Sequence, residues 1–211
     1  MLFGSYEFAA AADLAKEAVR DPSNFHWAIL TLFAVVLITY CNEIKLKNYA
    51  AVACAMGLYS IHWLFEIANA VICHFSGYAL WTVSPESTSF ILLIGVSVEL
   101  SLMFSLAGFT CKLLPEDKDK KILGIDNRVL FGTGMAVFCG AVEIFLAWTP
   151  AFIWVYPWWG AIPVAILVYV PFFVGAYKIY DMPLKKQIKV VGTMIAINIL
   201  LLVTLIPMGI I

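Results

Sequence analysis

The sequence predicts an all-α fold: a polytopic integral membrane bundle of about six transmembrane helices behind a short N-terminal amphipathic helix. Three observations predict it. The 211 residues are 63% hydrophobic and 13% charged, where soluble domains run nearer roughly 45–50% and 25%. The mean hydropathy is +0.94. Six apolar runs approach the ~20 residues that a helix needs to cross a bilayer, and lysines and arginines gather in alternate connections between them.

In chain order, residues 1–24 form the first unit. AAAADLAKEAVR alternates alanines with Asp13, Lys16, Glu17 and Arg20, and Asp21-Pro22-Ser23-Asn24 ends it. It lacks the basic start and apolar core of a signal peptide and reads as a helix lying on the membrane surface. Residues 25–211 form the transmembrane domain. Its segments run from about Phe25 to Cys41, 49 to 74, Ser89 to Leu113, Val129 to Trp148, Trp158 to Tyr180 and Ile188 to Ile210. Pro163 and Pro171 are expected to kink the fifth. Asn198 is the one strongly polar interior residue of the sixth.

Loop charge orients these spans. Lys45 and Lys47, then Lys112, Lys118, Lys120, Lys121 and Arg128, then Lys178, Lys185, Lys186 and Lys189 occupy alternate connections. SGYALWTVSPESTS and PAFIWVYPWWGAIP contain no Lys or Arg. Basic loops stay cytoplasmic, so both termini and both aromatic loops are expected outside. PEDKDKK reads as a solvated turn. Net charge is −1 without a basic run, which excludes nucleic acid as a partner class.

The second segment organises the rest. Tyr59, His62, Glu66, Asn69 and Cys73 recur at spacings of three and four, which puts them on one helical face. A carboxyl near the middle of a membrane helix costs several kcal/mol unless it meets protein, water or a partner. Glu99 and Glu143 follow on the next two segments. At 1.5 Å per residue, Glu66, Glu99 and Glu143 fall roughly 10, 15 and 8 Å below the outer surface, so an outward-facing cavity is expected. Trp63, Trp81, Trp148, Trp154, Tyr156, Trp158 and Trp159 surround its mouth, either as an interfacial belt or as π-faces for a cation.

His62 with Glu66, Glu99 and Glu143 would give a metal one nitrogen and three carboxylates, but the Glu-x-x-His pairs of di-metal bundles are absent. The five cysteines, Cys41, Cys54, Cys73, Cys111 and Cys139, show no CxxC spacing and an odd count. No metal or other cofactor is expected.

SIHWLFEIANAV, with its Ile-His-x-x-x-Glu, resembles the emopamil-binding sterol isomerases of the EXPERA group. Glu99 matches a further glutamate of that family in kind, FCGAVEIFLAW is similar to its Gly-rich helix with an acid, and VYVPFF to its late proline. The resemblance implies an intramembrane double-bond isomerase in which His62, Glu66 and Glu99 do the proton chemistry.

The expected function is therefore acid–base isomerisation or cyclisation of a terpenoid or steroid-like substrate through a cationic intermediate. Glu66 and Glu99 are the expected pair and His62 tunes one of them. Glu143, Asn69, Tyr59, Trp63, Tyr156 and Trp158 contact the substrate. The alternative is a transporter or binding protein for an organic cation or protons that uses the same acids as counter-charges. Lipophilic substrate and membrane lipids are the expected partners, and a homo-oligomer is compatible with this composition.

Overall fold

The computed structural model describes residues 2–149 and 151–211. Met1 and Pro150, which fall in the expected surface helix unit and the second uncharged loop, lie outside them. The described chain is mainly helical. Helices α1 (Ala9–Glu17), α2 (Ile29–Lys45), α3 (Tyr49–Ser76), α4 (Val98–Ala107), α5 (Asn127–Trp148), α6 (Ala161–Val164), α7 (Val170–Tyr180) and α8 (Leu184–Leu205) are joined by turns, with short pieces of strand in the connections from α3 to α6. Four helical stretches are long and apolar enough to cross a membrane: α3, α5, the continuous run Ala161–Tyr180, and α8. Helices α2 and α4 are shorter and pack beside them.

Helix α3 is the axis of the bundle. It packs against α2, α4, α7 and α8, and its small residues allow that crowding: Ala51, Cys54 and Ala55 are wholly buried. Asn198 on α8 donates to the Ser60 carbonyl of α3 at 2.8 Å, which satisfies a polar group that lipid could not. The fifth span is irregular between its two prolines. Between α6 and α7, residues 165–169 form a π-helical turn, and Pro171 cannot donate the backbone bond that would continue a regular ladder.

The third segment departs from expectation. Residues 89–97 do not begin a helix; β2 (Ile91–Leu93) and β3 (Val96–Ser97) form a tight antiparallel hairpin, and the helix starts at Val98. Ser97 supplies the reason, because its side chain caps the new helix by accepting from the Leu100 N–H. Six-residue Gly108–Leu113 then tightens to a 3₁₀ turn.

The two loops without Lys or Arg also differ from expectation, for they are ordered into a lid. β1 (Trp81–Val83) pairs antiparallel with β6 (Phe152–Trp154). The first residues of the chain run beneath: Gly4 donates to the Trp159 carbonyl at 2.8 Å, and Phe3 bridges Gly160. Helix α1 packs on β1, with Ala12 and Ala15 wholly buried, so the alanine face expected to meet lipid is covered by protein instead. Residues 22–24 follow as a single turn; the Ser23 backbone and hydroxyl bonds hold the Asp21 carboxyl below the usual range.

The opposite, lysine-bearing end is locked by ion pairs. Arg128 on α5 forks onto both oxygens of Asp181 at 2.8 Å, and Lys112 reaches Glu43 at 2.5 Å. The expected PEDKDKK turn is wrapped around Asn127, whose amide donates to the carbonyls of Asp117, Lys118 and Lys120. β4 (Lys121–Ile122) and β5 (Ile125–Asp126) close it.

Candidate functional site

A cavity of about 520 Å³ lies inside the bundle beneath the lid. Its walls come from α3, α4, α5, the π turn and α7, and its roof from Trp81, Gly95 and Phe152. Most of the lining is leucine, valine, methionine and phenylalanine. Into it project His62 and Glu66 from α3, Glu143 from α5 and Tyr169 from the π turn. Among the described residues, no lysine or arginine lines it.

Each polar group is held by a specific neighbour. The i,i+4 spacing on α3 brings His62 Nε2 to 3.3 Å from Glu66 Oε1. That is an electrostatic contact, since both imidazole nitrogens are buried without a well-directed hydrogen bond. The imidazole stacks on Phe104 of α4, with centroids 4.3 Å apart. The Trp81 indole N–H is shared by the two Glu66 oxygens at 3.2 and 3.1 Å. Glu143 accepts a hydrogen bond from the Tyr169 hydroxyl, and its other oxygen is buried without a partner.

Gly95 sets the roof. A Cβ there would stand 2.4 Å from Asn69 Nδ2, 2.5 Å from Trp81 Nε1 and 2.6 Å from Glu66 Oε2. The hairpin backbone therefore lies directly on the carboxyl, at a distance only glycine allows.

Of the expected site residues, His62, Glu66 and Glu143 meet in this cavity. Glu99 does not. Because the hairpin displaces the start of α4, Glu99 sits in the helix's first turn and accepts the Ser89 N–H at 2.6 Å. It braces the hairpin's own base. Asn69 also lies outside the lining: its Oδ1 accepts from Leu80 N–H at 2.8 Å and its Nδ2 donates to the Trp81 carbonyl at 2.9 Å, which pins the lid to α3. The Tyr59 hydroxyl bonds Ser101 at 2.9 Å, and the Tyr59 and Trp63 rings flank His62 at 6.3 and 6.4 Å. The Tyr156 hydroxyl donates to Ser76 Oγ at 2.8 Å in the lid, and Trp158 is largely exposed. The cavity is roofed, not open outward, because the loops expected at its mouth pair with each other.

Sequence reasoning did not find Tyr169, Phe104, Phe172 or Gly95. Tyr169 had one available signal, a lone phenol between Pro163 and Pro171, two residues before the second, in an apolar span. Among the described residues, no three of His, Cys, Asp and Glu converge to hold a metal ion.

The comparisons agree with the membrane architecture. A family model described as an uncharacterized membrane protein family matches residues 9–207. The chain belongs to that family. It is also 40% identical over 198 residues to an uncharacterized protein of Archaeoglobus fulgidus, which covers 92% of this chain and 94% of the relative. No solved structure matches.

Proposed function

We propose that the protein is an intramembrane acid–base enzyme that isomerises or cyclises a lipophilic, terpenoid-like substrate through a cationic intermediate. One observation carries this reading: two carboxyls and an imidazole face one apolar, roofed cavity whose lining, among the described residues, holds no lysine or arginine to neutralise them. Glu66 and Glu143 form the working pair, in place of Glu66 and Glu99.

The chemistry balances on the protein's own groups. One carboxylic acid gives its proton to an alkene carbon, which leaves a carbocation on the adjacent carbon. The other carboxyl, or His62, then removes a proton from a neighbouring C–H, and the electron pair of that bond forms the new double bond. In a cyclisation, a second alkene attacks the cation before that proton leaves. The faces of Phe104, Tyr169 and Phe172, whose rings lie 5.7–6.1 Å apart, stabilise the cation without competing as bases. The roof keeps out water that would trap it. The likeness of SIHWLFEIANAV to the sterol isomerases supports roles for His62 and Glu66.

In this reading α2 and α4 complete six crossings, and the lysine-bearing end is cytoplasmic, with both termini opposite. The rival reading, transport or binding of an organic cation, draws on the same unneutralised acids. A lid pinned by Asn69, by β6 and by the first residues of the chain favours chemistry over passage.

The test compares product formation and ligand binding in nanodiscs supplied with lipid extract, for wild type, Glu66→Gln and Glu143→Gln. The amide keeps shape but cannot exchange the proton. Turnover is expected to fall by roughly 10²–10⁴, the usual share of one acid–base group, while binding persists on the apolar walls. Loss of cation binding in both variants, with no altered product from wild type, would replace the enzyme by a transporter.

A further inference from the structure

The cavity is roofed at one end, yet it is not sealed at the side. Its back wall is α3 and α7, which pack closely on each other, as do α5 and α7. Helices α4 and α5 stand across from one another without comparable packing. The residues along that seam are open. Met103 on α4 and Phe138 and Val142 on α5 line the cavity and are 47%, 61% and 37% exposed, and Val137 and Phe145 of α5, which do not line it, are 63% and 62% exposed, so the outer surface of the bundle begins beside the seam. In a membrane protein that surface meets acyl chains. Leu32 of α2 completes the frame.

The interior is also directional. From Leu146 to Met135 the α5 wall runs about 16 Å. Glu66, Glu143, Trp81 and Tyr169 lie toward the lid. The far end is closed by Met135, Phe173 and Thr110, and the Thr110 hydroxyl is already engaged by the Ala107 carbonyl at 2.6 Å and the Tyr177 hydroxyl at 2.9 Å. That end offers a ligand apolar contact alone. A phosphate or carboxylate headgroup would meet two carboxyls and, among the described residues, no lysine or arginine in the lining, at a steep desolvation cost.

We propose that the α4–α5 seam is a lateral entrance from the bilayer, and that the ligand is an uncharged, linear, polyunsaturated hydrocarbon chain lying along the bundle. Its reacting end sits under the lid beside Glu66 and Glu143, and its tail points toward Thr110. The unsaturation of the ligand and the position of its reacting end rest on the acid–base reading; the entrance and the uncharged, apolar character of the ligand do not.

The test is photolabelling of the full chain in nanodiscs with a linear isoprenoid hydrocarbon that carries a diazirine at one end, followed by peptide mapping. A sulfonated, water-soluble diazirine is the second probe. In wild type the hydrocarbon is expected to mark Phe104 and Tyr169 inside as well as lipid-facing Phe145. Val142→Trp, or Ala107→Phe on the facing wall if that variant does not fold, should cut the inner adducts at least about tenfold and leave Phe145 marked. Inner adducts that survive both blocking variants, that arise from the sulfonated probe, or that are absent in wild type would overturn the entrance. Inner adducts together with wild-type turnover in Glu66→Gln would keep the entrance and remove the acid–base reading.

Discussion

Gly95 is the residue on which lid and site meet, and its environment gives a sharp expectation. Three polar atoms lie within 2.6 Å of where a Cβ would stand, and two of them belong to Glu66 and its indole donor. Gly95→Ala must push the hairpin off α3 or turn the carboxyl away. Overpacking of this kind costs about 1–3 kcal/mol, read as a lower melting temperature in detergent, and turnover should fall with it. Trp81→Phe keeps an aromatic ring in the roof but removes the N–H that both Glu66 oxygens accept, so turnover should change, and a buried carboxyl that loses its donor also costs about 1–3 kcal/mol of stability. Asn69→Ala leaves the Leu80 N–H and the Trp81 carbonyl without their side-chain partner, at a similar cost of about 1–3 kcal/mol, and it should loosen the lid. The two separate in turnover: unchanged turnover in the folded fraction of Trp81→Phe would contradict its place beside Glu66.

At the scale of elements, the lysine-bearing end holds α5 to α7 through Arg128 and Asp181. Arg128 is almost wholly buried and also donates to the Pro115 carbonyl at 2.8 Å. Removing one partner of a buried pair typically costs about 3–5 kcal/mol, so Arg128→Ala should destabilise the fold strongly. Arg128→Lys should recover part of that loss, because lysine cannot make the two-pronged contact. The cavity lies away from this pair, and ligand binding by the folded fraction should be unchanged. The elements also show what the sequence made legible. The stripe Tyr59, His62, Glu66, Asn69 identified the helix with polar neighbours, since helical periodicity is a local property. Glu143 was legible for the same reason, as a lone acid in an apolar span. Glu99 misled because SFILLIGVS reads as continuous apolar helix, and a buried hairpin has the same composition. Only Gly95 and the capping Ser97 marked the break. Trp81 joins the site through pairing of β1 with β6, residues some 70 apart, and no local pattern announces such a partnership; Tyr169 reaches it from the π turn.

For the molecule as a whole, the lid and the lysine-bearing end must lie on opposite sides of the membrane if the cavity is to sit within its thickness. The proposed orientation assigns the sides by charge. The connections at Lys47, Lys118 and Lys186 carry the basic residues, all three of these lysines are exposed, and basic connections remain cytoplasmic. The lid carries Glu86 and Trp158 on its exposed surface. Single cysteines at these five positions can be read with a membrane-impermeant maleimide on intact cells. Glu86→Cys and Trp158→Cys should label from outside, and Lys47→Cys, Lys118→Cys and Lys186→Cys only after lysis. The opposite pattern would invert the orientation and place the lid in the cytoplasm. Labelling of lid and lysine positions from the same side would go further, because two ends on one side leave no crossing in which α3 could carry Glu66 through the bilayer. The lateral entrance makes a separate demand on the same geometry. A ligand that arrives from the hydrocarbon needs neither end to open, so a reagent bulky enough to immobilise the lid at Glu86→Cys should leave ligand uptake intact, whereas uptake through the roof would stop.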